Sequence, residues 1–194
     1  FIVSGNTAGN ITYKRYIADT DWHLVSAPVA DQSIPTFVGV SGNALANNNL
    51  SGGNGNFAVS YYKNTNTAGN RWTYHNTSPS AENQETLTSF IAGQGYSMKR
   101  TAAGDYTFTG TMANNDVSVT IPTTSGSSHL WTTIGNPFPS FLTVSEILAD
   151  NPNKLDGSFT AIYVWDATLN GGTYTPAETT LQLAPGQAFM VKAK

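Results

Sequence analysis

Charged residues make up only 11% of this 194-residue chain, the net charge is -3 and the pI is about 5.4, so no basic field exists to hold a nucleic-acid backbone or an anionic lipid surface. The absence of cysteine removes disulfide frameworks, thiolate zinc sites and cysteine nucleophiles, and three histidines without His-x-x-x-His spacing make no histidine metal site. No stretch approaches the roughly 18 consecutive apolar residues of a membrane-spanning helix.

In chain order, Phe1 to Val3 reads as mid-strand, and Lys194 follows directly on a strand. The chain is therefore expected to be a piece of a longer polypeptide. Ile11, Tyr13, Arg15 and Ile17 alternate on one face of a second strand, opposite Thr12, Lys14 and Tyr16. A strand from Trp22 is halted by Pro28. Ser41 to Asn56, rich in Asn and Gly, has too little apolar content to bury and predicts a long loop. Phe57 to Tyr62 and Arg71 to Tyr74 form a hairpin around an Asn/Gly tip. Ile91 to Lys99 is a Gly-Gln turn feeding a strand, and Tyr106 to Gly110 and Val117 to Ile121 are strictly alternating strands joined through Asn114, Asn115 and Asp116.

Three of these segments recur in the same order. Trp22 to Pro28 returns as Trp131 to Pro137, and the hairpin returns as Ala161 to Trp165 with Thr173 and Tyr174. The turn and strand at Ile91 to Lys99 return as Leu183 to Lys192. Ordered pairs of this kind predict duplicated halves, about 11–121 and 128–194, within one domain spanning 1–194. In this reading Tyr61 corresponds to Tyr163, because the spacings to Trp72 and Tyr174 are equal. Ser140 to Ala149 is the helical segment, with Phe141, Val144, Ile147 and Leu148 at helical spacing and Ser140 or Thr143 as cap. The expected fold is all-β: an antiparallel β-sandwich, jelly-roll or immunoglobulin-like, with one short helix near 140–149.

Trp22 and Trp131 are expected in the core. Tyr62, Trp72, Tyr74, Trp165 and Tyr174 flank hairpin tips that carry Asn64, Asn66, Asn70, Arg71, Asp166 and Asn170. There a ring can stack on the C–H face of a sugar while amides and Arg71 bind its hydroxyls, or the same rings can pack the sheets together. Trp72 and Tyr74, two apart on a strand, share a face. The loop after the helix places Asp150, Asn153 and Asp156 where hard oxygen ligands could wrap a structural calcium ion, although Lys154 within it favours a solvated Asx turn; Asp19 to Asp21 is a thinner alternative. No other cofactor is expected. Glu82 and Glu85 fall in a surface loop, Glu146 and Glu178 have no marked partner, and no serine has a Gly-x-Ser-x-Gly elbow. His23, His75 and His129 lack a nucleophile, so no enzyme is expected.

Across nearly the whole chain, the motifs at Tyr13–Tyr16, Trp22–Pro28, Gly93–Tyr96, Gly135–Ser140, Ile162–Trp165 and Pro185–Val191 resemble β-rich modules of Bacteroidetes secreted and cell-surface proteins. Those modules commonly precede a type IX secretion sorting domain. The resemblance implies an extracellular or cell-surface location and neighbouring domains in the same polypeptide. Together, residues and resemblance lead to the expectation of a non-catalytic accessory module binding extracellular polysaccharide, with a structural or adhesive spacer as the alternative.

Overall fold

The computed structural model describes residues 9–48, 55–113, 115–121, 130–169 and 171–194; the expected first strand at Phe1–Val3, Asn114, His129 and Asn170 lie outside them. Alternation drives the first pairing. Strand β1 (Asn10–Ile17) runs antiparallel to β7 (Gly104–Thr111), Asn10 opposite Thr111 and Ile17 opposite Gly104, with Ile11, Tyr13 and Ile17 turned toward the core. The outer edge of β7 is partly occupied by side-chain amides: the N–H groups of Thr107 and Thr109 donate to Asn43 Oδ1 at 2.8 Å and Gln32 Oε1 at 2.6 Å.

Two sheets carry the rest. The first has the order β2 (Trp22–Val25), β6 (Tyr96–Lys99), β3 (Asn56–Tyr62), β4 (Trp72–Asn76), β5 (Gln84–Glu85). The second runs β8 (Trp131–Gly135), β13 (Ala188–Lys192), β10 (Tyr163–Asp166), β11 (Thr173–Pro176). Every ladder is antiparallel except β4 with the two-residue β5. The chain is thus an antiparallel all-β protein with little helix, as its alternating segments predict.

The two sheets repeat one pairing plan, residue for residue. Val25 faces Tyr96 as Ile134 faces Phe189, and Trp22 faces Lys99 as Trp131 faces Lys192. The turns before β6 and β13 cross over: Gln187 bridges Val25 of the first sheet, and Gln94 bridges Ile134 of the second. Their hydrogen bonds match, Ser26 N donating to Gly186 O at 2.8 Å and Gly135 N to Gly93 O at 2.9 Å. Gly93 and Gly186 have φ values of 77° and 70°, the left-handed region that glycine enters without a Cβ penalty. Where the crossing is tightest, a Cβ on Gly135 would lie 2.1 Å from Ser26 Cβ.

The hairpins also correspond, but one residue out of the expected register. Tyr163 pairs with Met190, whose counterpart is Ser97, and Ser97 pairs with Ser60; Ser60, not Tyr61, stands where Tyr163 does. The tip between the paired rings Trp165 and Tyr174 is one residue shorter than that between Tyr62 and Trp72, and this hides the slip in a simple spacing match.

Helix α2 (Val144–Asp150) begins later than the periodicity suggests. Thr143 occupies the N-cap position without a side-chain bond, and Phe141 lies before the helix and is 61% exposed. A second helix was not expected. In α1 (Ile34–Gly39), Ser33 accepts from Thr36 N at 3.2 Å and a proline occupies the first turn. It follows β2 as α2 follows β8, and the bridge Ser33–Ser89 matches the pairing Thr143–Gln182 of β9 (Leu142–Thr143) with β12 (Gln182–Leu183).

Two further expectations are corrected. The Asn/Gly-rich segment does bury surface: Asn43 is fully buried at the end of a 3-10 turn (Ser41–Asn43), and Leu45 joins the core and bridges Arg100. Polar content is no bar to burial when amides can substitute for missing strand partners. Val117 to Ile121 is no strand; its alternating exposure comes from laying Val117 and Val119 over Gly93 and Ile121 against the second core, without a ladder.

The first sheet, the β1–β7 ribbon and α1 enclose Val25, Phe37, Val59, Phe90, Tyr96, Met98, Tyr106 and Phe108. The second sheet, α2 and the β9–β12 pair enclose Val144, Ile162, Leu183, Phe189 and Val191. A third cluster joins the sheets: Leu24, Ala188 and Met190 meet Tyr62, Trp72, Trp131, Tyr163 and Trp165.

Candidate functional site

The third cluster opens at one side into a cleft of about 290 Å³, lined by Trp22, His23 and Leu24 of β2, Ser97 of β6, Trp72 and Tyr74 of β4, and Trp165, Gly171 and Tyr174 of the second hairpin. Strand alternation accounts for the placement. Trp72 and Tyr74 are two apart and share a face, and so are Trp22 and Leu24. The cleft therefore gathers rings from both hairpins, which lie far apart in sequence. Trp165 Nε1 donates to the Trp22 carbonyl at 2.7 Å and ties the second hairpin to the first sheet. A Cβ on Gly172 would lie 1.9 Å from the Trp165 ring, so that ring rests directly on backbone.

The rings meet edge to face: Trp22 with Tyr74 at 6.1 Å and 68°, Tyr62 with Trp72 at 5.3 Å and 80°, Trp165 with Tyr174 at 4.8 Å and 62°. Trp22, Trp72, Trp131 and Trp165 are each half-buried, which corrects the expectation that Trp22 and Trp131 lie in the core. The repeat puts both at strand starts beside the inter-sheet cluster, where neither ring is fully enclosed. Tyr174 is 36% exposed. Burial pushes the Tyr74 phenol above its ordinary value, and burial together with the neighbouring Tyr62 does the same for Tyr174. Both phenols therefore stay neutral donors at physiological pH.

The expected polar partners divide. Asn64 is buried in the tip. Asn66 is buried too, its amide donating to Asn70 O, Thr73 Oγ1 and Glu82 O at 3.0–3.1 Å. Asn70 donates to Thr67 and Glu82, and Asp166 accepts from the backbone and hydroxyl of Thr168. These groups build the tips and leave little for a ligand. Arg71 is half-buried with Nε unpartnered, next in sequence to Trp72 but outside the cleft lining. Tyr62 packs behind Trp72, also outside the lining.

At the expected calcium loop, Asp156 accepts from Ser158 N at 2.9 Å and faces Lys192 Nζ at 3.4 Å; the Ser158 bond and that ammonium hold its carboxyl below the usual range. Asp150 is exposed, and Asn153 is exposed in the left-handed region at φ 59°. No group of three or more His, Cys, Asp or Glu side chains fit to hold a metal ion occurs among the described residues. Asp19 is likewise committed, to Asp21 N at 2.9 Å and His23 Nε2 at 2.7 Å, and the His23 bond holds its carboxyl low. Glu82 accepts from Thr67 and Asn70. Glu85, despite partial burial, is held below its ordinary value by Lys63 and Tyr61. His75 is buried against Phe57, and burial lowers its pKa.

Sequence reasoning missed Trp22, His23, Leu24, Ser97 and Gly171 as lining residues. The repeat register carried the one available signal: Ser97 stands where its counterpart is the bulky Met190.

Fold and site together define a class: an all-β protein of two like-built sheets holding an aromatic cleft whose lining, among the described residues, has no carboxylate, lysine or arginine. Over residues 2–170 the chain matches the family described as Domain of unknown function (DUF8693), and it belongs to that family. No curated protein and no solved structure matches it.

Proposed function

We propose that this chain is a non-catalytic extracellular module that binds polysaccharide in the cleft between its two hairpins. The observation that carries the reading is the convergence of Trp22, Trp72, Tyr74, Trp165 and Tyr174 on one half-open space whose lining, among the described residues, holds no carboxylate and no lysine or arginine. A pyranose presents an apolar C–H face to a ring and hydroxyls to neutral donors, and this lining supplies both. The carboxylates of Glu82, Glu85 and Asp156 are engaged away from the cleft and that of Asp19 is held by Asp21 N and His23, which supports binding without hydrolysis. The resemblance to secreted Bacteroidetes modules supports an exported, multidomain parent.

Isothermal calorimetry against neutral and acidic plant and algal glycans tests the reading. Trp72→Ala and Trp165→Ala are each expected to weaken binding at least about tenfold, about 1.4 kcal/mol. Because both phenols are held above their ordinary value, affinity is expected to hold level between about pH 7 and 9.

A structural spacer is the second reading, favoured by the third hydrophobic cluster and the bond from Trp165 to Trp22, which join the sheets whether or not a ligand binds. No glycan bound, with a large loss of melting temperature in Trp165→Ala, decides for the spacer.

A further inference from the structure

The repeat supplies an internal control for the cleft. Across the first sheet, the pairings align Leu24, Ser97, Ser60 and Tyr74 in one row, so their side chains share the face that bears the cleft. The matching row of the second sheet is Thr133, Met190, Tyr163 and Pro176. Two serines thus stand where the second sheet has a methionine and a tyrosine. The consequence shows at the tryptophans. Trp131 is packed edge-on by Phe159 at 5.2 Å and Tyr163 at 5.1 Å, with Lys192 4.3 Å above the Phe159 ring. Trp22, at the matching position, borders open space.

The serines differ in availability. Ser60 is fully buried and donates to Ser97 O at 3.3 Å. Ser97 is half-buried in the cleft lining, and among the described residues its hydroxyl has no protein partner. It is a small floor residue with a free hydroxyl beneath a wall of rings, in a space close to the lower limit of small-ligand pockets, about 300 Å³. That size suits one or two sugar rings. A hydroxyl, neutral phenols and ring faces solvate an uncharged ligand, while a carboxylate or sulfate there would lose water and find no lysine or arginine among the described lining residues, the His23 imidazole being already engaged by Asp19.

Building on the polysaccharide reading, we propose that Ser97 is the specificity-determining seat of the cleft. It receives one uncharged pyranose unit, and its small size is what separates the binding half from its closed counterpart. There is one such seat per chain.

The test replaces Ser97 by the residue its counterpart carries. Ser97→Met and Ser97→Ala are titrated by calorimetry beside the wild type, with cellohexaose, xylohexaose, mannohexaose and laminarihexaose as neutral probes and polygalacturonate and choline as charged ones. Circular dichroism and melting check the fold. The proposal expects one neutral oligosaccharide bound per chain, a loss of at least about tenfold in Ser97→Met, a few-fold loss in Ser97→Ala, and no effect of Trp131→Ala on affinity. Folded Ser97→Met binding as well as wild type overturns the seat and leaves the glycan reading standing. Wild type binding polygalacturonate in preference to the neutral probes overturns the uncharged seat and leaves the glycan reading standing, whereas binding none of the glycans, or choline in preference, overturns both. Should Ser97→Met fail to fold, Ser97→Thr takes its place under the same criteria, since its one added methyl also intrudes on the floor.

Discussion

The two halves share a sheet but cover its outer face differently. The first lays an eight-residue ribbon and a helix over it and fills the space with rings: Phe37 stacks on Phe108 at 4.9 Å and 24°, Phe90 meets Tyr96 edge-on at 4.9 Å, and Tyr106 lies beneath the Arg100 guanidinium at 5.1 Å. The second covers the same face with a helix and a two-residue ladder over mostly aliphatic side chains. One pairing plan therefore tolerates two different cores. Strand register is set by backbone hydrogen bonds and alternation, whereas the depth of each core is set by what the connecting segments bring to it.

The difference can be tested by removing what only one half possesses. Phe108→Ala, in the ribbon, is expected to cost about 3–5 kcal/mol, since it empties a fully buried ring site with no equivalent in the second half. Chemical denaturation measures the loss, and hydrogen exchange should show the amides of β1 and β7 opening first. Leu183→Ala, also fully buried, is expected to cost about 2–5 kcal/mol, toward the lower end because the smaller core can close over the gap. If the two costs prove equal, the halves share stability evenly and the contrast is one of shape alone. Gly135→Ala strikes the crossing that joins them. With Ser26 Cβ only 2.1 Å from the added atom, about 1–3 kcal/mol is expected, with loss of cooperativity between the halves in a calorimetric scan.

Alkaline pH separates the halves chemically. Burial pushes up the phenols of Tyr61, Tyr74, Tyr96 and Tyr106 in the first half, Tyr96 to about 12, against Tyr174 alone among the described residues of the second half, where the counterpart of Tyr96 is Phe189. A raised folded-state pKa stabilises the fold fully below the unfolded value near 10 and loses that contribution as pH climbs through the folded value. Stability is thus expected to fall between about pH 10 and 12, with the first half unfolding first. The smallest effect belongs to Tyr96→Phe. The Tyr96 hydroxyl accepts from Ile91 N at 2.9 Å, and losing that bond is expected to cost about 0.5–1.5 kcal/mol while flattening part of the alkaline slope.

Much of this architecture was legible because period-two alternation and turn residues are local signals: β1, both hairpins, β7 and the strands before each proline follow from them. The recurrence of Trp22 at Trp131 and of Gln94 at Gln187 was visible too, since like-built sheets need like residues at their crossings. What stayed hidden is tertiary. Helix α1 is six residues long and holds together through a Ser33 cap and packing of Ile34 and Phe37, so it has no periodicity to display. Val117 to Ile121 alternates as a strand would, yet has no ladder. At the site, Trp72, Tyr74, Trp165 and Tyr174 were foreseen because aromatics beside hairpin tips are conspicuous. Asn66 and Asn70 misled because amides that build a tip look in sequence like amides that offer themselves to a ligand. Ser97 was invisible because a small residue signals only by contrast with a larger one in register.

The crossed turns have a consequence for how this chain behaves among its own copies. An unpaired border strand is a template on which another chain can add itself, and β2 and β8 would otherwise be such borders. Each is instead partly stoppered by the opposite half's glutamine turn, while among the described residues the far borders of these two sheets are β5, two residues long, and β11, which ends in a proline. Resistance to fibre-like stacking is thus shared between the halves, each guarding the flank that the other cannot protect.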